Sequence, residues 1–274
     1  MSIDPVQNDH QIKQIEKPKD IPRHEIPLPS LGKVYPTGYP LANKDHALIR
    51  AMTTKDEDIL SSEPLIKSGN AIDEYVMSAL GDKIEVGPML IGDKEAIMHA
   101  FRATGYGAEY DVEVKCKDED CGAKFNHTFD LGKLQVKTLD IDPVEPNCNL
   151  FEMPDVLPIS KQKVFFSLMT VENDKEITQT IDTMKKKMKK KRLPVVSLRL
   201  LYHIQRINDI TDRGKIRDII EDMSPRDSVF LRKYIKKVSP GLITAQQVEC
   251  PHCGNVEELQ IPLDISFFFP GEQE

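Results

Sequence analysis

Tryptophan is missing from this 274-residue chain and aromatic residues make up only 6% of it, an absence that by itself decides nothing about function. Other absences exclude more. No apolar run approaches the ~20 residues that carry a helix across a bilayer, which removes a helical membrane span. Positive charge is not in excess: the formal net charge of -7 argues against a generic nucleic-acid binder, which needs a positive field to displace counterions from phosphates. Catalytic signatures are missing too. There is no GxSxG, no GxxxxGK[ST] and no HExxH, and the seven histidines do not sit at spacings that pair with a nucleophile. The segment GYGAEY has too few glycines for a dinucleotide fingerprint, so the chain reads as a binding protein and not as an enzyme.

Cysteine is scarce, with five in the whole chain. The N-terminal stretch MSIDPVQNDHQIKQIEKPKD is polar and acidic, unlike a signal peptide, so a cytoplasmic setting is expected. There thiols stay reduced and serve as metal ligands in preference to disulfides.

The chain divides by composition. Residues 1–29 are proline-rich and poor in apolar residues, which predicts an extended arm. Residues 30–105 begin with a Pro/Gly-punctuated strap, IPLPSLGKVYPTGYPL, and continue into short helices. One helix is expected from about Thr54, with Glu57 at capping-box spacing, one over about 70–80 and one over about 93–104 with Asp93 as cap. Residues 106–140 hold two alternating runs, AEYDVEVKC and KFNHTFDL, that predict a hairpin. Residues 141–240 are a proline-rich linker followed by an all-helical segment. Leu198, Leu201, Ile204 and Ile207 share one of its helical faces, and Ser224 caps a helix with Pro225 at its first position. Residues 241–274 return to strand character and end in the aromatic tail ISFFFP.

The strongest chemical signal is a pair of knuckles. Cys116 and Cys121 have four residues between them, Cys250 and Cys253 have two, and each pair is followed by a glycine, Gly122 or Gly254. A tight turn between two strands presents two sulfurs from nearby backbone positions, and tetrahedral zinc takes four thiolates at about 2.3 Å. The pattern predicts zinc-ribbon-like hairpins that share one structural Zn2+, with the helical segment inserted between the two halves. Two other readings compete: four unrelated free thiols, or a ligand set in which His127 or His252 replaces a cysteine. Cys148 is left over in the linker. A site closed by four thiolates has no open position for an activated water, so the metal would be a staple.

Two further features stand out. The run Lys185 to Arg192 is almost entirely basic, either a solvated helix end that complements the helix dipole or a contact for nucleic acid, an acidic neighbour or a nuclear import receptor. Phe267, Phe268 and Phe269 cannot all face one core from a strand, so at least one is expected on another surface.

Taken together, LPSLG with Tyr35, TTKDEDIL, RATGYG, the two knuckles, RDSVFLRKYI and the closing FFFP make the chain resemble the baseplate hub and hub-assembly proteins of T-even-type contractile-tailed bacteriophages. The resemblance implies a structural or assembly protein that binds other baseplate or tail proteins. It also implies a place in the virion tail, or in the host cytoplasm during assembly, and no small-molecule substrate, membrane or nucleic acid as partner. The expectation is an α+β protein whose partner contacts lie at Leu28, Leu31 and Tyr35 in the strap and at Phe267 to Phe269 in the tail. A zinc-ribbon nucleic-acid-binding or transcription-associated factor is the alternative.

Overall fold

In the computed structural model, which describes residues 21–81, 84–187, 193–263 and 265–269, the chain opens on a two-stranded antiparallel sheet. Strands β1 (Arg23–Pro27) and β2 (His46–Arg50) pair from Arg23 opposite Arg50 to Pro27 opposite His46. Their alternation turns Ile26, Ala47 and Ile49 into the core. The arm expected over residues 1–29 therefore ends early, because Ile26 has a core to enter. Residues 1–20 of that arm lie outside the described residues. The strap between β1 and β2 is irregular, yet it buries Leu28, Val34, Tyr35 and Leu41.

Helices α1 (Thr54–Ser61), α2 (Glu63–Ser68), α3 (Ala71–Leu80) and α4 (Ile91–Tyr106) follow. The cap of α1 falls one residue before the expected Thr54. The Thr53 backbone N–H and hydroxyl both donate to Asp56, at 2.8 and 2.9 Å. Asp56 wins over Glu57 because Arg50 forks onto its carboxylate at 2.6 and 2.8 Å and Ser78 donates to it at 2.7 Å. Asp93, expected to cap α4, sits in the first turn of that helix, fully buried, and accepts from the backbone N–H of Ser30 at 2.8 Å and from the hydroxyls of Ser30 and Tyr35. Burial raises its pKa, and the three donors pull the other way.

The hairpin of β3 (Glu109–Lys115) and β4 (Lys124–Asp130) leads into the short strand β5 (Gln135–Lys137). A three-stranded sheet takes one strand from the expected linker and two from the segment expected to be all-helical. Strands β6 (Phe151–Glu152), β7 (Val164–Phe166) and β8 (Ile204–Ile207) lie in the order β6-β7-β8, accompanied by helices α5 (Val171–Lys187), α6 (Val195–His203), α7 (Arg213–Glu221) and α8 (Pro225–Val238). Ile204 and Ile207 fit the i, i+3 rhythm of a helix, but α6 stops at His203. Both residues enter the core from a strand whose register against β7 is broken between Phe165 and Phe166. The start of α8 follows expectation, with the Ser224 side chain accepting from the Asp227 backbone at 3.1 Å.

The last part holds β9 (Gly241–Ile243), the hairpin of β10 (Ala245–Glu249) and β11 (Val256–Gln260), and a short helix α9 (Ile265–Phe268). The pairing of β5 with β9, Gln135 opposite Ile243 through Lys137 opposite Gly241, joins the two distant hairpin regions. Helix α4 lies close against β9: a Cβ on Gly92 would stand 2.1 Å from the Pro240 carbonyl oxygen and 2.8 Å from Gly241 Cα. One apolar cluster runs from Ile26 and Tyr75 through Phe101, Phe129, Phe151 and Leu231 to Phe267, so strap, hairpins and inserted segment share a core.

Candidate metal centre

Each cysteine pair sits where a strand runs out into a tight turn. At the first knuckle the Cys116 N–H donates to Ala123 O at 2.9 Å, and the Cys121 N–H reaches the Asp118 side chain at 3.1 Å. At the second, the Cys250 N–H donates to Asn255 O at 2.8 Å and the Gly254 N–H closes back onto Cys250 O at 2.9 Å. Gly122 and Gly254 have φ of +55° and +72°, the left-handed region that lets each turn close without a Cβ penalty.

The four sulfurs meet. Cys116 Sγ lies 3.7 Å from Cys253 Sγ and Cys121 Sγ lies 3.9 Å from Cys250 Sγ, so each close contact crosses from one hairpin to the other. All four sulfurs lie within 4.8 Å of one another. Thiolates at about 2.3 Å from a shared tetrahedral centre stand about 3.8 Å apart, which is the spacing of both crossing contacts. These separations are far longer than the ~2.05 Å of a disulfide, and the cysteines are free thiols. The donor set fits a soft or borderline divalent metal such as zinc, with every tetrahedral position taken by sulfur.

The clustered thiols shift one another. Burial works against the Cys250 thiolate, but backbone N–H groups of His252 and Cys253 outweigh it and lower the pKa to about 7. Cys253 gains from the Asn255 backbone N–H, yet burial and the sulfurs of Cys121, Cys250 and Cys116 push it up to about 12. Each thiolate formed in the cluster opposes the next, and a bound cation would relieve that repulsion.

Around the sulfurs, contacts again cross between the hairpins. Asn255 Nδ2 approaches Cys116 Sγ at 3.9 Å. Glu257 on β11 accepts from the Lys117 backbone N–H at 3.3 Å and pairs with the Lys117 ammonium at 3.0 Å. Sequence reasoning passed over Asn255 and Glu257. The only signal available was their position just after the second knuckle.

Among the described residues the four cysteines are the one group of at least three candidate ligands with this proximity. His127, His252 and Cys148 are not in it. The His127 ring packs instead on Phe129, with centroids 4.6 Å apart, and His252 is exposed.

The residues expected to meet partners divide. Leu28, Tyr35 and Phe267 are fully buried in the chain's own core. The reason differs for each end. Tyr35 is drawn in by Asp93 and by the Leu90 N–H at 3.2 Å, whereas Phe267 lies on a helix and not a strand. Its ring meets Tyr110 at 5.4 Å and His99 at 5.0 Å, and its carbonyl accepts from the buried Arg102 Nε at 3.1 Å. Leu31, Phe268 and Phe269 are half-buried. Of the basic run, residues 188–192 lie outside the described residues, and Lys185 pairs with Asp182 at 3.0 Å.

Residues 22–269 match the family described as T4 bacteriophage base plate protein, and the chain belongs to that family. Comparison with curated proteins and with solved structures gave no match. Family membership carries a structural role in the phage tail baseplate. Among the described residues no helix is long and apolar enough to cross a membrane.

Proposed function

We propose that the chain is a non-catalytic structural or assembly component of the hub region of a phage tail baseplate, and that it acts by binding other tail proteins. In this reading residues 106–140 and 241–274 are the two halves of one zinc-ribbon module, and a single Zn2+ on Cys116, Cys121, Cys250 and Cys253 holds them together. Leu31, Phe268 and Phe269 are the contacts left to partners from the strap and the tail. The observation that carries the reading is the crosswise meeting of the two cysteine pairs within a chain of the baseplate family. Metal here replaces apolar core, since two two-stranded hairpins bury too little surface to be stable alone.

The test is genetic and structural together. A phage carrying a stop codon early in this reading frame is expected to make heads and no complete tails, and tails with normal baseplates from that phage contradict the proposal. A particle-free role in assembly is distinguished from a resident one by mass spectrometry of purified wild-type virions.

A further inference from the structure

A concave site lies apart from the sulfurs, where the start of α4 meets α6 and α8. It encloses about 290 Å³. Two helices line it with basic pairs at i, i+4 spacing, the interval that puts both members on one face. Arg199 and His203 come from α6, and Arg232 and Lys236 come from α8. Their own chain leaves much of this charge unspent. Among the described residues the ion pair of Arg199 is a long contact to Asp174 at 3.5 Å, and Arg232 Nε turns back to the Ser228 carbonyl at 3.3 Å. Among the described residues neither Arg232 nor Lys236 forms an ion pair, and Glu95 is the single carboxylate in the lining. Arg199, Arg232 and Lys236 thus line the cleft with one carboxylate, Glu95, while Asp174 stands at its edge beside Arg199, on a chain whose net charge is -7. Between the cations the walls are apolar, from Leu90, Leu168, Ile235 and Pro240.

We propose that this cleft docks an acidic, partly apolar segment of a neighbouring protein, whose Asp or Glu carboxylates pair with Arg232, Lys236 and Arg199 while an aliphatic side chain fills the space between them. Guanidinium and ammonium groups held beside one another on two helices pair carboxylates and fix register. A nucleic-acid strand fits the site less well. The lining offers no Phe, Tyr or Trp for base stacking, and the negative charge of the chain as a whole opposes a polyanion. The inference rests on the reading of the chain as a protein-binding baseplate component, although the cleft itself contains no metal ligand.

The experiment uses the full chain and fluorescence anisotropy with three labelled probes: a peptide alternating leucine and glutamate, its glutamine counterpart, and a single-stranded oligothymidine. The glutamate peptide is expected to bind and the other two to bind far more weakly. The double variant Arg232→Gln/Lys236→Gln, and separately Arg199→Gln, should weaken the glutamate peptide about tenfold or more. Lys67→Gln, exposed on α2, should leave it unchanged. All of these residues are solvent-exposed, so melting temperature and zinc content should hold and report that the fold is intact. Equal binding of the two peptides, wild-type affinity in the double variant, or preference for the oligonucleotide each overturns the proposal. Peptide binding that persists after chelation of zinc supports the cleft even where the metal reading fails.

Discussion

Cys116 and Cys253 bring their sulfurs to 3.7 Å although 137 positions separate them along the chain. The contact depends on elements outside the knuckles. Strand β5 follows the first hairpin after a short 3-10 turn at Leu131–Lys133, β9 precedes the second, and β5 and β9 pair. Helix α4 then backs β9.

That backing predicts the effect of Gly92→Ala. In a helix alanine is intrinsically favoured over glycine by about 1 kcal/mol, so propensity alone argues for stabilisation. Here the new methyl would meet backbone atoms at 2.1 and 2.8 Å, which cannot rotate away. Overpacking of this kind costs about 1–3 kcal/mol, and the net change is expected to be a lower melting temperature in a thermal scan. A rise would show that α4 does not bear on β9 as described.

Tyr35 gives a second outcome. Its hydroxyl donates to the buried Asp93 carboxylate and accepts from the Leu90 N–H. Tyr35→Phe leaves a buried carboxylate short of a donor and a backbone N–H without its acceptor, at a cost of about 1–3 kcal/mol in denaturant unfolding. A residue whose role lay at a partner surface would leave the stability of the isolated chain untouched.

The tail is tested in the same way. Phe267 is fully buried against Tyr110 and His99, so Phe267→Ala is expected to destabilise the isolated chain by about 3–5 kcal/mol. An unchanged melting curve would return this ring to the surface.

Asp227 supplies the pH dependence. It is buried, which disfavours its charged form, but backbone N–H groups of Ile159 and Ser160 donate to it at 2.7 and 3.0 Å and hold its pKa below the ordinary carboxylate value. A folded-state pKa depressed in this way stabilises the fold fully above the unfolded value of about 3.9, and the stabilisation is lost as pH falls through the lower folded value. Asp227→Asn should therefore cost about 1–2 kcal/mol at neutral pH. The gap to wild type should close in acid, as followed by urea unfolding across the pH range.

What the sequence discloses follows from how local each signal is. The cysteine pairs are legible because each knuckle sets two sulfurs within a single tight turn, a signal confined to four to six residues. The cap of α8 was legible for the same reason. The β5–β9 pairing was not, since QVK and GLI are too short to show any period. Ile204 and Ile207 satisfy a helical and a strand reading alike, and tertiary packing decides between them. Asp93 carried a local capping signal, whereas its long-range partners, Ser30 and Tyr35, leave no mark in the neighbouring sequence. A strand cannot bring the three phenylalanines to one core, whereas four residues of helix suffice to put Phe267 inside and leave Phe268 and Phe269 at the margin.

The most direct test is the metal content of the purified, reduced wild-type chain, measured by native mass spectrometry and inductively coupled plasma mass spectrometry beside Cys116→Ser and Cys253→Ser. These two variants each remove one sulfur of a crossing contact, one from each hairpin. The account predicts about one zinc per wild-type chain, and in both variants a loss of metal with a lower melting temperature. A folded wild-type chain free of zinc, or one that keeps its full metal after either substitution, would contradict it.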